Sequence, residues 1–569
     1  MKWIAKSACL VLVILTARAG VPENWQDKVD PRLLQGAPAT NEFLVILSEQ
    51  ADLSGATALK TKAAKGRYVF ERLTEVAQRT QQPLLKTLQE KKLEYQPFWV
   101  ANMICVRGDL PAIQSLAQRA DTARIVANSA NRVPDLLPVT AAPRITSSVE
   151  WNLSQVHAPD VWALGYTGQG VVVAGQDTGY QWNHPALINH YRGWDGTNAN
   201  HNYNWHDAIH GPNPHNTGDN PCGYNLTAPC DDNSHGTHTM GTMVGDDGAG
   251  NQIGMAPGAK WIGCRNMERG WGTAATYLEC FQWFLAPTDL NDQNPDPSKA
   301  PDVINNSWYS DASEGTTNLF VFQTAVENLR AAGVVVVVSA GNEGSGCSTI
   351  TSPAIYDASF SVGATDSGDN IASFSSRGPV TVDGSNRLKP DVSAPGVNIR
   401  SSVPVNSYAG GWSGTSMAGP HVVGLVALLL SAHPELRGHV DTIEHIIESS
   451  AVPRTDSQSC GDIPGTDVPN NTYGWGRVDA LAALNLCDSN YLHIASITVG
   501  TNCVLSFQSA LNCLYTLESR TNLEAGSWTA VPSQVDIAGN AGLLQLSQTN
   551  RPPDTARFYR VKVRVAPGP

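Results

Sequence analysis

Residues 413–430 read Ser-Gly-Thr-Ser-Met-Ala-Gly-Pro-His-Val-Val-Gly-Leu-Val-Ala-Leu-Leu-Leu, a turn of small residues that runs directly into a long apolar segment. The apolar segment predicts a buried helix, because it is too short and too closely flanked by Gly and His to cross a bilayer. Ser416 then lies at the N-terminus of this helix, where unpaired N–H groups and the helix dipole favour negative charge. A nucleophilic serine is one interpretation of this stretch, and a plain buried helix after a loop is the other.

Segments of two kinds alternate on the N-terminal side of this helix. Continuous apolar or β-branched runs predict strands buried on both faces, and the stretches between them have helical patterns. The strand candidates are Val171–Ala174, Asp302–Ile304 and Val334–Ser339, and the helix candidates are Thr273–Leu285 and Asn318–Ala332. This alternation predicts an α/β fold with a doubly wound, mainly parallel sheet. In such sheets, functional sites form at the carboxyl ends of the strands.

Polar residues stand where this rule places a site. Asp177 and Asn342 each follow a predicted strand, and His235 opens a helix between them. His235 can act as the base that takes the proton of Ser416, and a buried Asp177 can hold the imidazole and stabilise its charged form. The side-chain amide of Asn342, together with the N–H of Ser416, can stabilise a developing oxyanion.

Four motifs carry the resemblance to a known family. They are Asp177-Thr178-Gly179, His235-Gly236-Thr237-His238, Gly341-Asn342 and Gly414-Thr415-Ser416-Met417-Ala418-Gly419-Pro420-His421. Over about residues 151–486 the chain resembles the subtilisin-like (S8) serine peptidases, and its Asp, His, Ser order is that of subtilisin rather than of α/β-hydrolases or chymotrypsin. Residues 245–254, 279–290 and 304–308 look most like the bacillopeptidase F branch of that family.

The resemblance implies a serine endopeptidase. It would form an acyl-enzyme on Ser416 and then hydrolyse it, with Asp177 and His235 completing the catalytic triad. Asn342 and the Ser416 N–H would form the oxyanion hole. No cofactor is implied for catalysis.

Substrate binding is implied for two segments. The resemblance gives Ser307, Trp308 and Tyr309 the role of an edge strand that pairs with the substrate backbone. The stretch that begins at Gly341 would flank the first specificity pocket. There Glu343 either favours a basic P1 side chain or is a solvated carboxylate of a broadly specific site.

Three features depart from the family pattern. Gln176 replaces the usual aliphatic residue before Asp177, and Trp308 with Tyr309 replaces smaller residues. The interval between Asp177 and His235 is long and contains four histidines, which are His201, His206, His210 and His215. Because these lack carboxylate or Cys ligands at the usual spacing, a surface insertion is favoured over a metal site, and no metal ligand is predicted.

Calcium is the one ion that the resemblance suggests, since family members often bind it for stability. The stretch Asp246–Asn251 is acidic and rich in Gly, but it lacks the EF-hand spacing and a clear ligand set. Calcium is therefore retained only as a structural option.

The N-terminus predicts export. Lys2 and Lys6 precede an apolar run and a small-residue cleavage site, so residues 1–19 are interpreted as a signal peptide and the protein as secreted. Residues 20–140 then form a small basic region with a linker. Its β-α-β-β-α-β pattern predicts a ferredoxin-like fold, with a helical region interrupted at Pro83, a strand from Phe98 to Val106 and Asp109 as a helix cap. This region is interpreted as a removable prosegment that acts as chaperone or inhibitor, or else as a permanent binding domain.

Residues 141–487 are assigned to the peptidase-like domain and residues 488–569 to a small all-β domain, because alternating segments and turn signals follow Cys487. In an exported chain the cysteines can form disulfides, and their spacing suggests the pairs Cys222–Cys230 and Cys503–Cys513.

The formal net charge of −13 argues against nucleic-acid binding, which needs a basic face. The expected partners are protein or peptide substrates and the chain's own prosegment, with no stable membrane span. Two alternatives remain open for the function. One is a catalytically weak, secreted binding protein with the same fold, and the other is a transpeptidase that uses the same triad.

Overall fold

The computed structural model describes residues 24–35, 40–133, 149–309, 321–490, 494–499, 502–509, 513–521, 528–540, 542–549 and 557–565. The predicted signal peptide and residues 134–143 of the predicted linker lie outside this range. The predicted signal peptide and domain boundaries stay predictions.

The N-terminal region contains a four-stranded antiparallel sheet. Its elements are α1 (Pro31–Leu34), β1 (Asn41–Leu47), α2 (Lys62–Glu90), β2 (Glu94–Phe98), β3 (Met103–Gly108), α3 (Leu110–Ala117), β4 (Thr122–Ala127) and β5 (Ala130–Arg132). The sheet has the order β2-β3-β1-β4, which with α2 and α3 confirms the ferredoxin-like prediction. The Asp109 carboxylate caps α3 by accepting the N–H of Ala112 at 3.0 Å, as expected.

Two predictions for this region are wrong in detail. The single strand predicted from Phe98 to Val106 is a hairpin of β2 and β3, because the chain turns before Met103, with Asn102 at φ 45°. The helix predicted to be interrupted at Pro83 continues through it as α2. Its buried face extends beyond Pro83 to Leu84 and Leu88, so packing outweighs the backbone hydrogen bond that proline removes.

A seven-stranded parallel sheet forms the centre of the molecule. The elements of this region are α4 (Trp151–Gln155), α5 (Ala158–Ala163), β6 (Val172–Asp177), β7 (Trp205–Asp207), α6 (His235–Val244), β8 (Lys260–Arg265), β9 (Met267–Glu268), β10 (Trp271–Thr273), α7 (Ala274–Leu285), β11 (Val303–Asn306), α8 (Gln323–Ala331), β12 (Val335–Ser339), β13 (Phe360–Thr365), β14 (Val392–Pro395), β15 (Ile399–Val403), β16 (Ser407–Trp412), α9 (Thr415–Ala432), α10 (Val440–Ser450) and α11 (Ala480–Asn490). The sheet order is β14-β13-β12-β11-β6-β8-β7, which confirms the doubly wound α/β prediction.

Strand β12 shows why the central strands are apolar at every position. Val335 and Val337 pack into the core that contains α9, whereas Val336 and Val338 pack into the opposite core with α7 and α8. Since successive side chains point to opposite faces, a strand covered on both sides needs a continuous apolar run.

The sheet order also locates the site. From β6 the chain proceeds to β8 on one side and later to β11 on the other, so the order reverses between β6 and β11. Ligand sites in such sheets lie at the carboxyl ends of the strands flanking this reversal. Asp177 is the last residue of β6, and Ser307 directly follows β11.

Helix α9 is a core helix. Among the described residues, α9 is the helix that has the length and apolar composition to cross a membrane. The sequence argument that this segment is too short to span a bilayer is therefore wrong. A membrane span is excluded by burial instead, because every side chain from Thr415 to Leu430 is enclosed within the protein.

The last described strands form a small β region. They are β17 (Ile494–Val499), β18 (Cys503–Gln508), β19 (Cys513–Arg520), β20 (Thr529–Ala530), β21 (Ile537–Ala538), β22 (Leu543–Gln548) and β23 (Phe558–Val565). They pair antiparallel around a core that includes Leu505, Phe507 and Tyr515, which confirms the all-β prediction.

Three disulfides join described residues. Cys222–Cys230 confirms one predicted pair, and Cys264–Cys280 and Cys347–Cys460 were not predicted, because their separations of 16 and 113 residues give no local signal. The side chain of Cys513 lies outside the described atoms, so the pair Cys503–Cys513 stays a prediction.

Candidate active site

Asp177 and His235 form a buried pair at the carboxyl end of the sheet. His235 Nδ1 lies 2.7 Å from Asp177 Oδ1 and 3.0 Å from Oδ2, and both side chains are at most 1% exposed. The carboxylate also accepts the backbone N–H of Thr178 at 2.7 Å and the hydroxyl of Thr239 at 3.2 Å. These donors stabilise its charged form, and the carboxylate in turn fixes the proton of His235 on Nδ1. Nε2 has no hydrogen-bond partner within the described ranges.

Asp231 holds the turn that presents His235. One of its carboxylate oxygens accepts the N–H of Ser234 at 2.8 Å, and the other accepts the N–H and the hydroxyl of Thr237 at 2.9 and 2.6 Å. Asp231 thereby caps the first turn of α6, and it also accepts the hydroxyl of Thr178 at 2.9 Å. The sequence analysis missed this residue. Its position shortly before a helix start was an available signal, because aspartate is a preferred capping residue.

Ser416 lies in the first turn of α9 and is reciprocally bonded to Ser307. The Ser416 hydroxyl donates to the Ser307 carbonyl at 3.2 Å, and the Ser307 hydroxyl donates to the Ser416 carbonyl at 2.9 Å. The second bond has a local cause. The Ser416 carbonyl would normally accept the N–H four residues on, but that residue is Pro420, which has none. Ser307 thus satisfies the carbonyl and fixes the turn that carries the Ser416 hydroxyl.

Asn342 and the Ser416 N–H flank one small space beside Gly414. The Asn342 carbonyl oxygen accepts both the N–H and the hydroxyl of Thr415 at 2.9 Å, which fixes the orientation of its amide. A methyl group on Gly414 would lie 3.5 Å from Asn342 Nδ2 and 3.7 Å from the Ser416 N. Two N–H donors that converge on a space next to a serine are what an oxyanion hole requires.

The predicted substrate-binding residues are divided between the interior and the surface. The side chains of Ser307 and Trp308 are buried, and Trp308 stacks on Tyr277 with ring centroids 3.8 Å apart, so a substrate could reach these two residues only through their backbone. Residues 307–309 lie beyond the end of β11 and are not part of a strand. Glu343 is exposed and Tyr309 is half-buried, and the Tyr309 hydroxyl donates a hydrogen bond of 2.7 Å to the Glu343 carboxylate.

Gly341 needs the absence of a side chain. Its φ is 111°, and a Cβ there would lie 2.7 Å from the Thr351 hydroxyl and 2.8 Å from the Ser376 hydroxyl. The turn before Asn342 is therefore closely packed on these two residues.

A pairing that the sequence analysis missed involves β10. Strand β5, the end of the described N-terminal region, pairs antiparallel with β10, and the N–H of Val133 donates to the Gly270 carbonyl at 2.8 Å. Strand β10 pairs with β9 on its other side, so the edge that β5 covers is the one on which another extended peptide can add in place of β5.

The departure at Gln176 is accommodated by hydrogen bonds. Its amide donates to the Asn306 side-chain oxygen at 2.7 Å and accepts from Asn266 at 2.9 Å. These three buried polar side chains link β6 to β11 and to the end of β8. A buried polar network thus replaces the apolar contact at this position.

Two histidines of the insertion share one carboxylate partner. The Glu279 carboxylate lies 2.7 Å from His206 Nε2 and 2.9 Å from His210 Nε2, and the Asp292 carboxylate lies 3.3 Å from His206 Nδ1. Burial, which alone lowers a histidine pKa, is outweighed at His206 by the hydrogen bonds to Asp292 and Glu279, so its pKa rises to about 9. The hydrogen bond to Glu279 likewise raises the pKa of His210 to about 9.

The other two histidines contact aromatic rings. His201 Nδ1 lies 2.9 Å from the Tyr191 hydroxyl, and the His215 ring stacks on Trp271 with centroids 4.4 Å apart. The described residues contain no group of three or more His, Cys, Asp or Glu side chains arranged to hold a metal ion.

The loop Asp246–Asn251 does not fit a calcium ion. The Asp247 carboxylate already accepts the N–H groups of Ala249 and Asn251, the Asn251 amide and the Tyr408 hydroxyl, all within 3.0 Å. The buried Arg400 guanidinium donates to the Asn251 side-chain oxygen at 2.7 Å and would repel a second cation. The carboxylate of Glu150, 2.9 Å away, balances the Arg400 charge.

Comparison with known proteins agrees with this geometry. The Subtilase family (Peptidase_S8) matches residues 168–476. The chain is 40% identical over 448 residues to bacillopeptidase F of Bacillus subtilis strain 168, an alignment that covers 75% of this chain and 29% of that protein. It is 33% identical over 296 residues to subtilisin E of the same strain and over 290 residues to subtilisin of Bacillus pumilus. These alignments cover 52% and 50% of this chain, and 64% and 86% of the two relatives.

The chain thus spans less than a third of the length of bacillopeptidase F and about two thirds of that of subtilisin E. The family match nevertheless covers more than half of this chain, including the strand that ends at Asp177, the helix that begins at His235 and the turn at Ser416. The protein belongs to the subtilase family of peptidases.

Proposed function

We propose that the protein is a secreted serine endopeptidase that hydrolyses peptide bonds through an acyl-enzyme on Ser416. The observation that carries this proposal is the buried Asp177–His235 pair with its open Nε2 at the same end of the sheet as Ser416. Asp177, His235 and Ser416 are assigned to the triad, and Asn342 with the Ser416 N–H to the oxyanion hole.

The first chemical step begins with a rotation of the Ser416 side chain. Its hydroxyl leaves the Ser307 carbonyl and turns to His235 Nε2, which removes the proton as Oγ attacks the substrate carbonyl. The Asn342 amide and the Ser416 N–H stabilise the oxyanion, while Asp177 stabilises the imidazolium. His235 then protonates the leaving amine. Water, deprotonated by His235, attacks the acyl-enzyme and releases the acid.

The N-terminal region is proposed to be a prosegment that inhibits the precursor. Its contacts with the peptidase region support this role. The Gln282 side-chain oxygen accepts the N–H of Trp99 at 2.7 Å and that of Val100 at 3.3 Å, and the Asn328 amide donates to the Val100 carbonyl at 2.7 Å. Lys62 lies 3.2 Å from Asp302. These contacts hold β5 on β10, where it occupies an edge that a substrate strand would use.

Secretion is supported by the disulfides and by the predicted signal peptide. Three disulfides among the described residues require an oxidising compartment, such as the cell exterior. The proposed partners are protein or peptide substrates and the prosegment itself, and the proposed catalytic steps use side chains of the chain, the backbone N–H of Ser416 and water.

The test compares the secreted products of the wild type and of Ser416→Ala by intact mass and N-terminal sequencing. The wild type should lose its prosegment and be labelled on Ser416 by a serine-directed phosphonate, whereas Ser416→Ala should keep the prosegment and stay unlabelled. Ser413→Ala is the matched control, because Ser413 lies in the same turn and bonds the backbone of Asn398 instead. Labelling of another serine, or maturation of Ser416→Ala, would refute the proposal.

A further inference from the structure

The paired strand β5 shows which way each of its side chains faces. Asn131 and Val133 are each 5% exposed and point into the peptidase region, whereas Arg132 between them points outward. Arg132 is paired with Trp271 of β10, and its guanidinium carbon lies 5.8 Å from the centre of the indole ring. This distance is within the range of a cation–π interaction.

Trp271 is held in place by the histidine-rich insertion. The His215 ring lies parallel to the indole, with an interplanar angle of 12° and centroids 4.4 Å apart. The loop that carries His215 is anchored on the buried Glu268, whose carboxylate accepts the N–H of Asn213 at 2.6 Å and the amide of Asn216 at 3.0 Å. The insertion therefore fixes one aromatic ring against another beside the edge of β10.

We propose that the Trp271–His215 stack is a specificity subsite for a cationic substrate side chain. The subsite takes the residue that pairs with Trp271, the position that Arg132 occupies in the precursor. The inference rests on the proposed peptidase function, because it assumes that substrates add to β10 as β5 does. A planar guanidinium fits an aromatic face better than an ammonium does, so arginine is preferred over lysine. The stack contributes selectivity and takes no part in the chemical step.

The first measurement locates the subsite in substrates. Cleavage sites in a denatured proteome are mapped by mass spectrometry for the mature wild type, and arginine should be enriched at one position on the N-terminal side of the cleaved bond, separate from P1. Trp271→Ala should lose this enrichment, and Trp271→Phe should keep most of it. Absence of the enrichment in the wild type, or its persistence in Trp271→Ala, would overturn the inference.

The second measurement uses matched peptides that carry arginine or its neutral isostere citrulline at that position. The wild type should prefer arginine by about 2- to 5-fold in kcat/KM, which is the size of one exposed cation–π contact. The ratio should fall to about 1 in Trp271→Ala and to an intermediate value in His215→Ala. In the control pair of peptides, the arginine or citrulline stands at the neighbouring position, where the side chain faces inward as that of Asn131 does. The ratio of kcat/KM between these two peptides should not depend on Trp271.

Failure of this inference is distinguishable from failure of the proposed function. If the wild type cleaves peptides but has equal kcat/KM for arginine and citrulline, the subsite is refuted and the peptidase stands. If it cleaves none, the same peptide pairs are compared by calorimetric binding to the wild type and to Trp271→Ala. A Trp271-dependent preference in Kd then supports the subsite, and equal Kd values refute it.

Discussion

At the scale of single residues, Pro420 determines how Ser416, the proposed nucleophile, is held. A proline in the sixth position of α9 removes the N–H that would bond the Ser416 carbonyl, and the hydroxyl of Ser307 replaces it at 2.9 Å. Ser307 is itself oriented by the Asn305 amide, which donates to its oxygen at 2.8 Å. The Ser307 side chain therefore fixes the backbone of Ser416, which is a positioning role if Ser416 is the nucleophile as proposed.

Replacing Ser307 with alanine should impair both stability and turnover. The buried Ser416 carbonyl loses its donor, so the free energy of unfolding should fall by about 1–3 kcal/mol. Because the first turn of α9 is no longer fixed, kcat should fall by roughly 10- to 100-fold with KM little changed. Urea denaturation in a Ser416→Ala background and steady-state kinetics in the active enzyme measure the two effects. An equal change in KM, or no change in kcat, would contradict the positioning role.

At the scale of secondary-structure elements, the insertion between β6 and α6 is tied to α7 by charge. Glu279 of α7 lies within 2.9 Å of nitrogen atoms of both His206 and His210. Burial, which raises a carboxyl pKa, is outweighed by these hydrogen bonds, so the pKa of Glu279 falls to about 2. The same helix contacts the N-terminal region, since Gln96 donates to Glu279 at 2.6 Å.

The signs of these shifts define a pH dependence for stability. Because the pKa values of His206 and His210 are raised in the folded protein, their interactions with Glu279 stabilise the fold fully below pH 6.5, the ordinary histidine pKa. This stabilisation is lost as pH rises through about 9. Because the pKa of Glu279 is lowered in the folded protein, its stabilising contribution is complete above pH 4.5, the ordinary glutamate pKa, and is lost as pH falls through about 2. The melting temperature of Ser416→Ala should therefore fall between pH 6.5 and 9, and this fall should be smaller with Glu279→Gln added.

Glu435→Gln is the matched control for this pH dependence, because the exposed Glu435 also pairs with a histidine, His433, at 3.0 Å. An exposed pair contributes little, so its loss should leave the pH profile unchanged. If the melting temperature changed with pH in the same way with and without Glu279→Gln, the stabilising role given to Glu279, His206 and His210 would be contradicted.

At the scale of the whole molecule, the N-terminal region and the peptidase region meet at several places. One is the pairing of β5 with β10, and a second is the docking of residues 99–100 on α7 and α8. The second place lies outside the proposed catalytic residues, so we expect it to set how long the proposed prosegment stays bound after cleavage. Gln282 is the central contact, because one oxygen accepts two backbone N–H groups.

Gln282→Ala should shorten prosegment inhibition. Loss of one partly buried acceptor costs about 1–2 kcal/mol, which corresponds to roughly 10-fold weaker binding. The lag between prosegment cleavage and full peptidase activity should shorten accordingly, as measured with a quenched peptide substrate. Gln293→Ala, at an exposed position, should keep the wild-type lag. An unchanged lag in Gln282→Ala would show that docking at this place does not limit release.

The sequence by itself predicted the α/β class, the buried helix after Ser416 and the candidates Asp177, His235 and Asn342. These are local properties, because a strand that is buried on both faces must be apolar throughout, and the turn that follows a strand marks its end in the sequence. The helix break at Pro83 was mispredicted because the packing that sustains α2 comes from residues distant in the chain.

Only the tertiary structure showed how distant segments combine. The reciprocal hydrogen bonds between Ser307 and Ser416 join residues 109 positions apart. The capping of the His235 turn involves both Asp231 and Thr178. The stack of His215 on Trp271 joins the insertion to the edge of a strand. Local propensity carries no information about such contacts, since the chain must fold before the partners meet. The sequence thus determined which groups are available for the proposed catalysis, and the tertiary structure determined which groups hold them in place.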